Sequence, residues 1–228
     1  MSTHHVVAID GPAASGKSSV SRKVAEKLGY AFVSSGLMYR AFTWVVCEAG
    51  LDPEADPDAV VALLDKTKIE ASCRDNELFL LVNGSDPGDA LTSDYVNGNV
   101  SKVAKIPDVR KALVKQQRAC AEATDIVMEG RDIGSVVFPD TPYKFYLDAS
   151  EEVRARRRAA QGLGDEIAER DRLDSTRKVS PLKVRTTNVP FMSTSIKRLL
   201  RIISLDISFQ YSCFHIRVVV KSGTYDVP

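Results

Sequence analysis

Histidine, tryptophan and long apolar runs are scarce in this chain, and each shortage removes a class of function. There are three histidines and one tryptophan in 228 residues, and His215 stands far from the adjacent His4 and His5. Neither a histidine metal cluster nor a Ser-His-Asp triad can be assembled from that supply. No apolar stretch approaches the roughly 20 residues needed to cross a bilayer. The opening MSTHHVVAID has no signal-peptide core, so a cytoplasmic setting without a membrane partner is expected. Cys47, Cys73, Cys120 and Cys213 form no C-x-x-C pair; they read as buried thiols in a reducing compartment. Excess charge is lacking too. A formal net charge of +1 gives no global field for nucleic acid, and no such partner is expected. What is left is a chain of ordinary composition, with the length of one α/β domain and room for a small insert.

What is present is concentrated near the start. Val6 to Ile9 form a β-branched apolar run that suits a buried parallel strand. Gly11, Pro12, Ala13, Ala14, Ser15, Gly16, Lys17 and Ser18 then complete a G-x-x-x-x-G-K-[ST] phosphate loop, followed by Ser19 and by Val20, Val24 and Leu28 at helical spacing. Strand, Gly-rich turn and helix together give the pattern its mechanism. The glycines let the backbone curl so that several N–H groups face one phosphate. The helix aims its positive end at the same place. Lys17 can reach the β- and γ-phosphates, and the Ser18 hydroxyl can ligate magnesium. A nucleoside triphosphate with magnesium is the ligand this implies.

Further along, residues 31–33 read as a second strand and 37–50 as a helix with Tyr39 and Arg40 in its first turn. Residues 59–64 read as a short helix. The period then changes: 68–73 and 77–82 around Arg74-Asp75-Asn76 look like an antiparallel hairpin, and Asn83-Gly84 is a second turn signal. Helical patterning returns over 94–122 with a break before Pro107. Asp125–Glu129 and Lys144–Asp148 read as core strands, and 151–160 as a helix carrying Arg154, Arg156, Arg157 and Arg158. Strands alternating with helices predict an α/β fold, a central parallel sheet covered on both faces. Its ligands belong beyond the carboxyl ends of the strands, where the phosphate loop, Ser35, Glu129–Asp132 and Asp148 all fall. No guanine-reading N-K-x-D segment is present, which argues against a GTPase. The density of arginine suits a site that gathers many phosphate oxygens.

With these blocks the chain resembles the bacterial cytidylate (CMP) kinases, P-loop nucleoside monophosphate kinases. The likeness is carried by IDGPAASGKSS at 9–19, SSGLMYRA at 34–41 and VSKVAKIPDVRKALVKQQR at 100–118. It continues through MEGRDIGSVVFPD at 128–140, KFYLDASEEVRARRR at 144–158 and RDRLDSTRKVSPLK at 170–183. The resemblance implies a P-loop NTPase three-layer α/β/α fold over residues 1–183, with 67–92 as a β insert of the NMP-binding region and 151–177 as an arginine-rich helical lid. It implies phosphorylation of CMP or dCMP by ATP with magnesium, in a monomer. Gly11–Ser19 would hold the ATP phosphates. Ser35, Tyr39 and Arg40 would meet the acceptor near its phosphate, with Arg131 pairing that phosphate. Ser101, Arg110 and Asp132 match positions that read the cytosine edge. Arg170, Asp174 and Arg177 match the pentose-side and lid positions, and Arg157 and Arg158 would lie on the lid. The alternatives left open are a P-loop kinase for another small acceptor, or a nucleotide-binding protein with impaired turnover.

Three departures stand out against the family pattern. Ser34 occupies a position where an aspartate is common, and the segment 159–166 is short. After Lys183 the composition changes in kind: residues 184–228 hold no alanine or glutamate and six basic residues against Asp206 and Asp226. An out-of-frame translation produces such a break, and a genuine divergent tail is the alternative. Within the tail, 214–220 has the pattern of a strand and 196–203 that of a helix.

Overall fold

The computed structural model describes residues 4–160, 215–220 and 223–227. Among these described residues, eight strands form one sheet: β1 Val6–Asp10, β2 Ala31–Ser34, β3 Ile69–Arg74, β4 Glu77–Val82, β5 Ile126–Gly130, β6 Tyr143–Asp148, β7 His215–Val220 and β8 Gly223–Val227, in the spatial order β3-β4-β2-β5-β1-β6-β7-β8. β2, β5, β1 and β6 run parallel; every residue of β1, β2 and β5 is buried. The described α-helices are α1 Lys17–Leu28, α2 Ser35–Glu48, α3 Pro57–Ala62, α4 Asp94–Val103, α5 Pro107–Ala119 and α6 Glu151–Ala160.

Strand alternation divides the core between two faces. Val7, Ile9, Phe32, Val127, Phe145 and Leu147 pack with Val20, Val24 and Ala25 of α1. Val6, Ala8, Ala31, Val33, Ile126 and Met128 pack on the other side, against Ile133 and Val137. A separate helical cluster joins Tyr39, Phe42 and Val46 of α2 to Val60, Val100, Val103, Val109 and Leu113 of α3, α4 and α5.

The expected parallel scaffold is present, and the hairpin insert is more closely joined to it than its sequence suggested. Asp75 and Asn76 both take left-handed conformations, φ 51 and 62, so the loop has two residues and Arg74 belongs to β3 opposite Glu77. The Asn76 carbonyl accepts from the Phe32 N–H at 2.8 Å, which docks the hairpin onto β2. As the edge strand, β3 leaves Cys73 exposed, and Cys47 and Cys120 are only half-buried; the expectation of buried thiols fails there. α2 starts at Ser35, two residues earlier than its pattern indicated, because Gly36 lies inside the first turn and does not break it. Tyr39 and Arg40 are therefore in the second turn. At the far edge β7 pairs antiparallel with β6, from Tyr146↔Arg217 to Asp148↔His215, and β8 completes a hairpin. The strand pattern of 214–220 is borne out; the helical reading of 196–203 lies outside the described residues.

Phe42 is fully buried at the centre of the helical cluster. Phe42→Ala should lower stability by about 3–5 kcal/mol, read as a shift of the urea midpoint at unchanged m-value. A loss under about 1 kcal/mol would mean that the cluster collapses around the deletion.

Candidate active site

The chain leaves β1 and β5 toward opposite sides of the sheet, β1 toward β2 and β5 across β1 to β6. That makes a crevice between their carboxyl ends, the place where open α/β sheets bind ligands. The phosphate loop follows β1, and Arg131 and Asp132 follow β5.

The loop has the shape of an anion cradle. Ala14 and Gly16 take left-handed conformations, φ 56 and 89. At Gly11 a Cβ would lie 2.1 Å from the Leu147 carbonyl oxygen, so only glycine permits this approach to β6. The Ser15 hydroxyl is fully buried and finds no hydrogen-bond partner among the described residues. The first turn of α1 has neither an acidic residue nor a side-chain cap, which leaves its N–H groups and positive end for a ligand. Lys17, 7% exposed, donates from Nζ to the Pro12 carbonyl at 3.0 Å. Ser18 and Ser19 are exposed at the start of α1.

Two arginines hold the loop by its carbonyl groups. Arg154 donates to the carbonyls of Ala149 and Ala13 at 3.1 and 3.4 Å, and Arg157 to those of Ala14 and Ser15 at 3.3 and 3.1 Å. Their spacing of three puts both on one face of α6. Arg156 instead pairs with Glu152 in solvent at 2.6 Å. Arg154 was not singled out from the run in the sequence; its burial, at 8% exposure, sets it apart.

Glu129, the next-to-last residue of β5 and 4% exposed, connects the loop to the end of β2. Its Oε1 accepts from the Ser34 hydroxyl at 2.5 Å, and its Oε2 lies 3.8 Å from Lys17 Nζ. Ser34 thus serves the carboxylate that faces the loop lysine. Beside it, Ser35 is buried so close to β5 that a Cβ on Gly130 would lie 2.5 Å from its Oγ.

Beyond Gly130 the backbone enters a wide turn, Ile133–Val137, in which the amides of Val137 and Phe138 reach back to the carbonyls of Asp132 and Ile133 at 3.2 and 2.7 Å. Arg131 is half-buried at its entrance. The Asp132 carboxylate pairs with Arg110 of α5, and both side chains are buried. Arg110 also donates to the Ala104 carbonyl at 3.3 Å and lies 5.8 Å over the Tyr39 ring. Lys17, Ser35, Arg131, Asp132 and Arg110 therefore gather around the ends of β1 and β5. Arg40 turns toward α4, donating to Asn97 Oδ1 at 3.1 Å, and Ser101 is buried on α4 itself. Arg158 lies on α6; Arg170, Asp174 and Arg177 lie outside the described residues.

Asp10 was not anticipated as part of this cluster. Its Oδ1 and Oδ2 accept from the N–H groups of Ile133 and Gly134 at 2.8 and 2.9 Å. Burial raises its pKa from 3.8 to about 6, against the lowering effect of those two bonds; Asp132 raises it further and Arg131 opposes. The folded state therefore holds this proton more tightly than the unfolded chain. The stability it contributes is fully present below about pH 3.8 and is lost as pH rises through about 6. Wild type should lose about 3 kcal/mol relative to Asp10→Asn between about pH 4 and about pH 7, measured as the difference of urea-unfolding free energies. Parallel pH profiles would contradict the raised value. At the end of β5, Arg110→Ala should cost about 3–5 kcal/mol by stranding the buried Asp132 carboxylate. Combining Arg110→Met with Asp132→Val, which removes both charges at a similar summed volume, should be close to neutral in the same measurement. A double variant as unstable as the single would contradict this.

A parallel sheet with a phosphate loop after its central strand, and an arginine–carboxylate cluster after the neighbouring one, defines a P-loop α/β protein. The family model described as cytidylate kinase matches residues 7–205. The cytidylate kinase of Geobacillus kaustophilus (strain HTA426) is 43% identical over 201 residues, covering 83% of this chain and 89% of the relative. That of Mycobacterium avium (strain 104) is 46% identical over 195 residues, covering 80% and 85%. The bifunctional pantoate ligase/cytidylate kinase of Synechococcus sp. (strain WH7803) is 47% identical over 195 residues, and the chain covers 40% of its length. The chain belongs to the cytidylate kinase family.

Proposed function

We propose that this protein transfers the γ-phosphoryl group of ATP to CMP or dCMP, yielding ADP and CDP or dCDP. The observation that carries the reading is the placement of the phosphate loop and the Arg131–Asp132–Arg110 cluster across one crevice, in a chain of this family. A phosphate oxygen of the acceptor attacks the γ-phosphorus while the bond to the bridging oxygen of ADP breaks. That oxygen is already nucleophilic, so no strong general base is required. Positioning and charge neutralisation supply the rate.

The loop amides, the Ser15 hydroxyl and the start of α1 bind the donor phosphates. Lys17 turns from Pro12 and Glu129 to the transferring group. Arg131 holds the acceptor phosphate. Asp132 accepts from the exocyclic amine of cytosine and Arg110 donates to its ring carbonyl, so the pair that closes on itself in the free protein opens to admit the base. Ser35, Tyr39, Arg40 and Ser101 line the acceptor side. Arg157, Arg158, Arg170, Asp174 and Arg177 serve the lid and the pentose, as the family resemblance implies. Magnesium, held by the Ser18 hydroxyl and the substrate phosphates, would draw charge off the transferring group. The described cysteines are free thiols, which supports a reducing, cytosolic setting.

The test is a coupled assay with CMP, dCMP, UMP and AMP. CMP or dCMP should be preferred by tenfold or more in kcat/KM, roughly the discrimination of a hydrogen-bonded base edge. Lys17→Ala should lower kcat by about 10²–10³ or more, with some loss of stability because the buried Glu129 loses a partner, and Asp132→Asn should raise KM for CMP far more than for ATP. A preference for AMP, or near-normal turnover without Lys17, would falsify the reading.

A further inference from the structure

Asp10 is the last residue of β1 and directly precedes the phosphate loop. Its backbone is fixed in the middle of the sheet, opposite Gly130 of β5 and Tyr146 of β6. Its side chain reaches out of that ladder. At 8% exposure, both carboxylate oxygens are taken by the Ile133 and Gly134 amides that open the wide turn. A Cβ on Gly134 would lie 3.4 Å from Oδ2 and 3.1 Å from Lys144, so turn, carboxylate and β6 are in close contact. The segment bearing Arg131 and Asp132 is thereby tied to one residue at both ends. At Gly130 it is held by the β1–β5 ladder and by the Gly11 N–H, which donates to the Gly130 carbonyl at 3.3 Å. At Ile133 and Gly134 it is held by the carboxylate.

The arrangement is costly. Both hydrogen bonds come from neutral amides, and burial holds the group well above the ordinary carboxylate range, so the ionised form detracts from stability near neutral pH. A group retained at such a cost, between the two halves of a crevice, has a role in geometry. Resting on the kinase reading above, we propose that Asp10 is a positioning residue that sets the spacing between the phosphate loop and the Arg131–Asp132 turn, and so between donor and acceptor phosphates. Its main chain belongs to the donor side and its side chain holds the acceptor side. In-line transfer is sensitive to such spacing, since a displacement of about 1 Å can cost about 10²-fold in rate.

Asp10→Asn tests this. It is isosteric, keeps one acceptor and turns an amide NH2 toward a backbone N–H, so one end of the turn is released. We expect kcat to fall about 100-fold and KM for CMP to rise about tenfold, with KM for ATP within about twofold. Hydrogen exchange without nucleotide should quicken over residues 131–137 and not in β1 or β5. A carboxylate that only stabilises the fold would change Tm and leave the kcat and KM ratio of the folded fraction alone; that outcome overturns the proposal. Should Asp10→Asn not fold, Asp10→Glu keeps both acceptors but moves them by one methylene. It should show the same CMP-selective loss, and equal effects on ATP and CMP overturn the proposal. In wild-type protein the Ile133 and Gly134 amides should exchange as slowly as those of β1, and exchange at the rate of an open loop overturns it without any variant. A wild type that turns over no CMP defeats the kinase reading, while the exchange measurements still decide whether Asp10 holds the turn.

Discussion

Asp10, Lys17, Glu129 and Asp132 at the carboxyl ends of β1 and β5, with Arg110 reaching in from α5, are each less than 10% exposed. Removing ionised groups from water costs several kcal/mol apiece unless each is partnered, and the surrounding structure supplies the partners. Asp132 is met by Arg110, Glu129 by the Ser34 hydroxyl and by Lys17, and Asp10 by two backbone amides. None of these partners is local. β2, α5 and the wide turn must all be in place before the charges can be buried, so the fold and the site form together.

The division of labour between sheet and helices follows. The phosphate-loop half of the crevice is built from strand ends and the first turn of α1, and its rigidity comes from the ladder. The Arg131–Asp132 half leans on the helical cluster, whose Val109 and Leu113 present Arg110 from the same helix. Tyr39 belongs to that cluster and also lies under the Arg110 guanidinium. The Arg110 guanidinium is therefore aimed by hydrophobic packing, and its charge is satisfied by Asp132.

Much of this was legible in the sequence wherever the signal is contiguous. The phosphate loop is one unbroken motif between a strand and a helix. The hairpin is announced by its turn residues, and α6 spans the residues its pattern indicated. What could not be read is long-range. The Ser34–Glu129 bond joins residues 95 apart and the Asp10–Ile133 bond residues 123 apart, and neither follows any periodicity. Arg154 was hidden for another reason. In a run of arginines, spacing alone does not say which one turns inward, and only the approach of α6 to the loop separates it from Arg156. Cys73 misled because an apolar-looking residue on an edge strand has one side with nothing to pack against.

The arginines of α6 grip the phosphate loop by its carbonyl oxygens. Each peptide unit is a rigid plane, so a carbonyl fastened outward obliges the N–H of the same plane to point inward. Arg154 and Arg157 thereby act on peptide orientation and hold Ala13, Ala14 and Ser15 against rotation. A loop free to flip those planes would show oxygen to its ligand in place of hydrogen, turning an attractive surface repulsive without moving a Cα atom. The phosphate loop thus keeps its polarity through contacts made at its carbonyl oxygens.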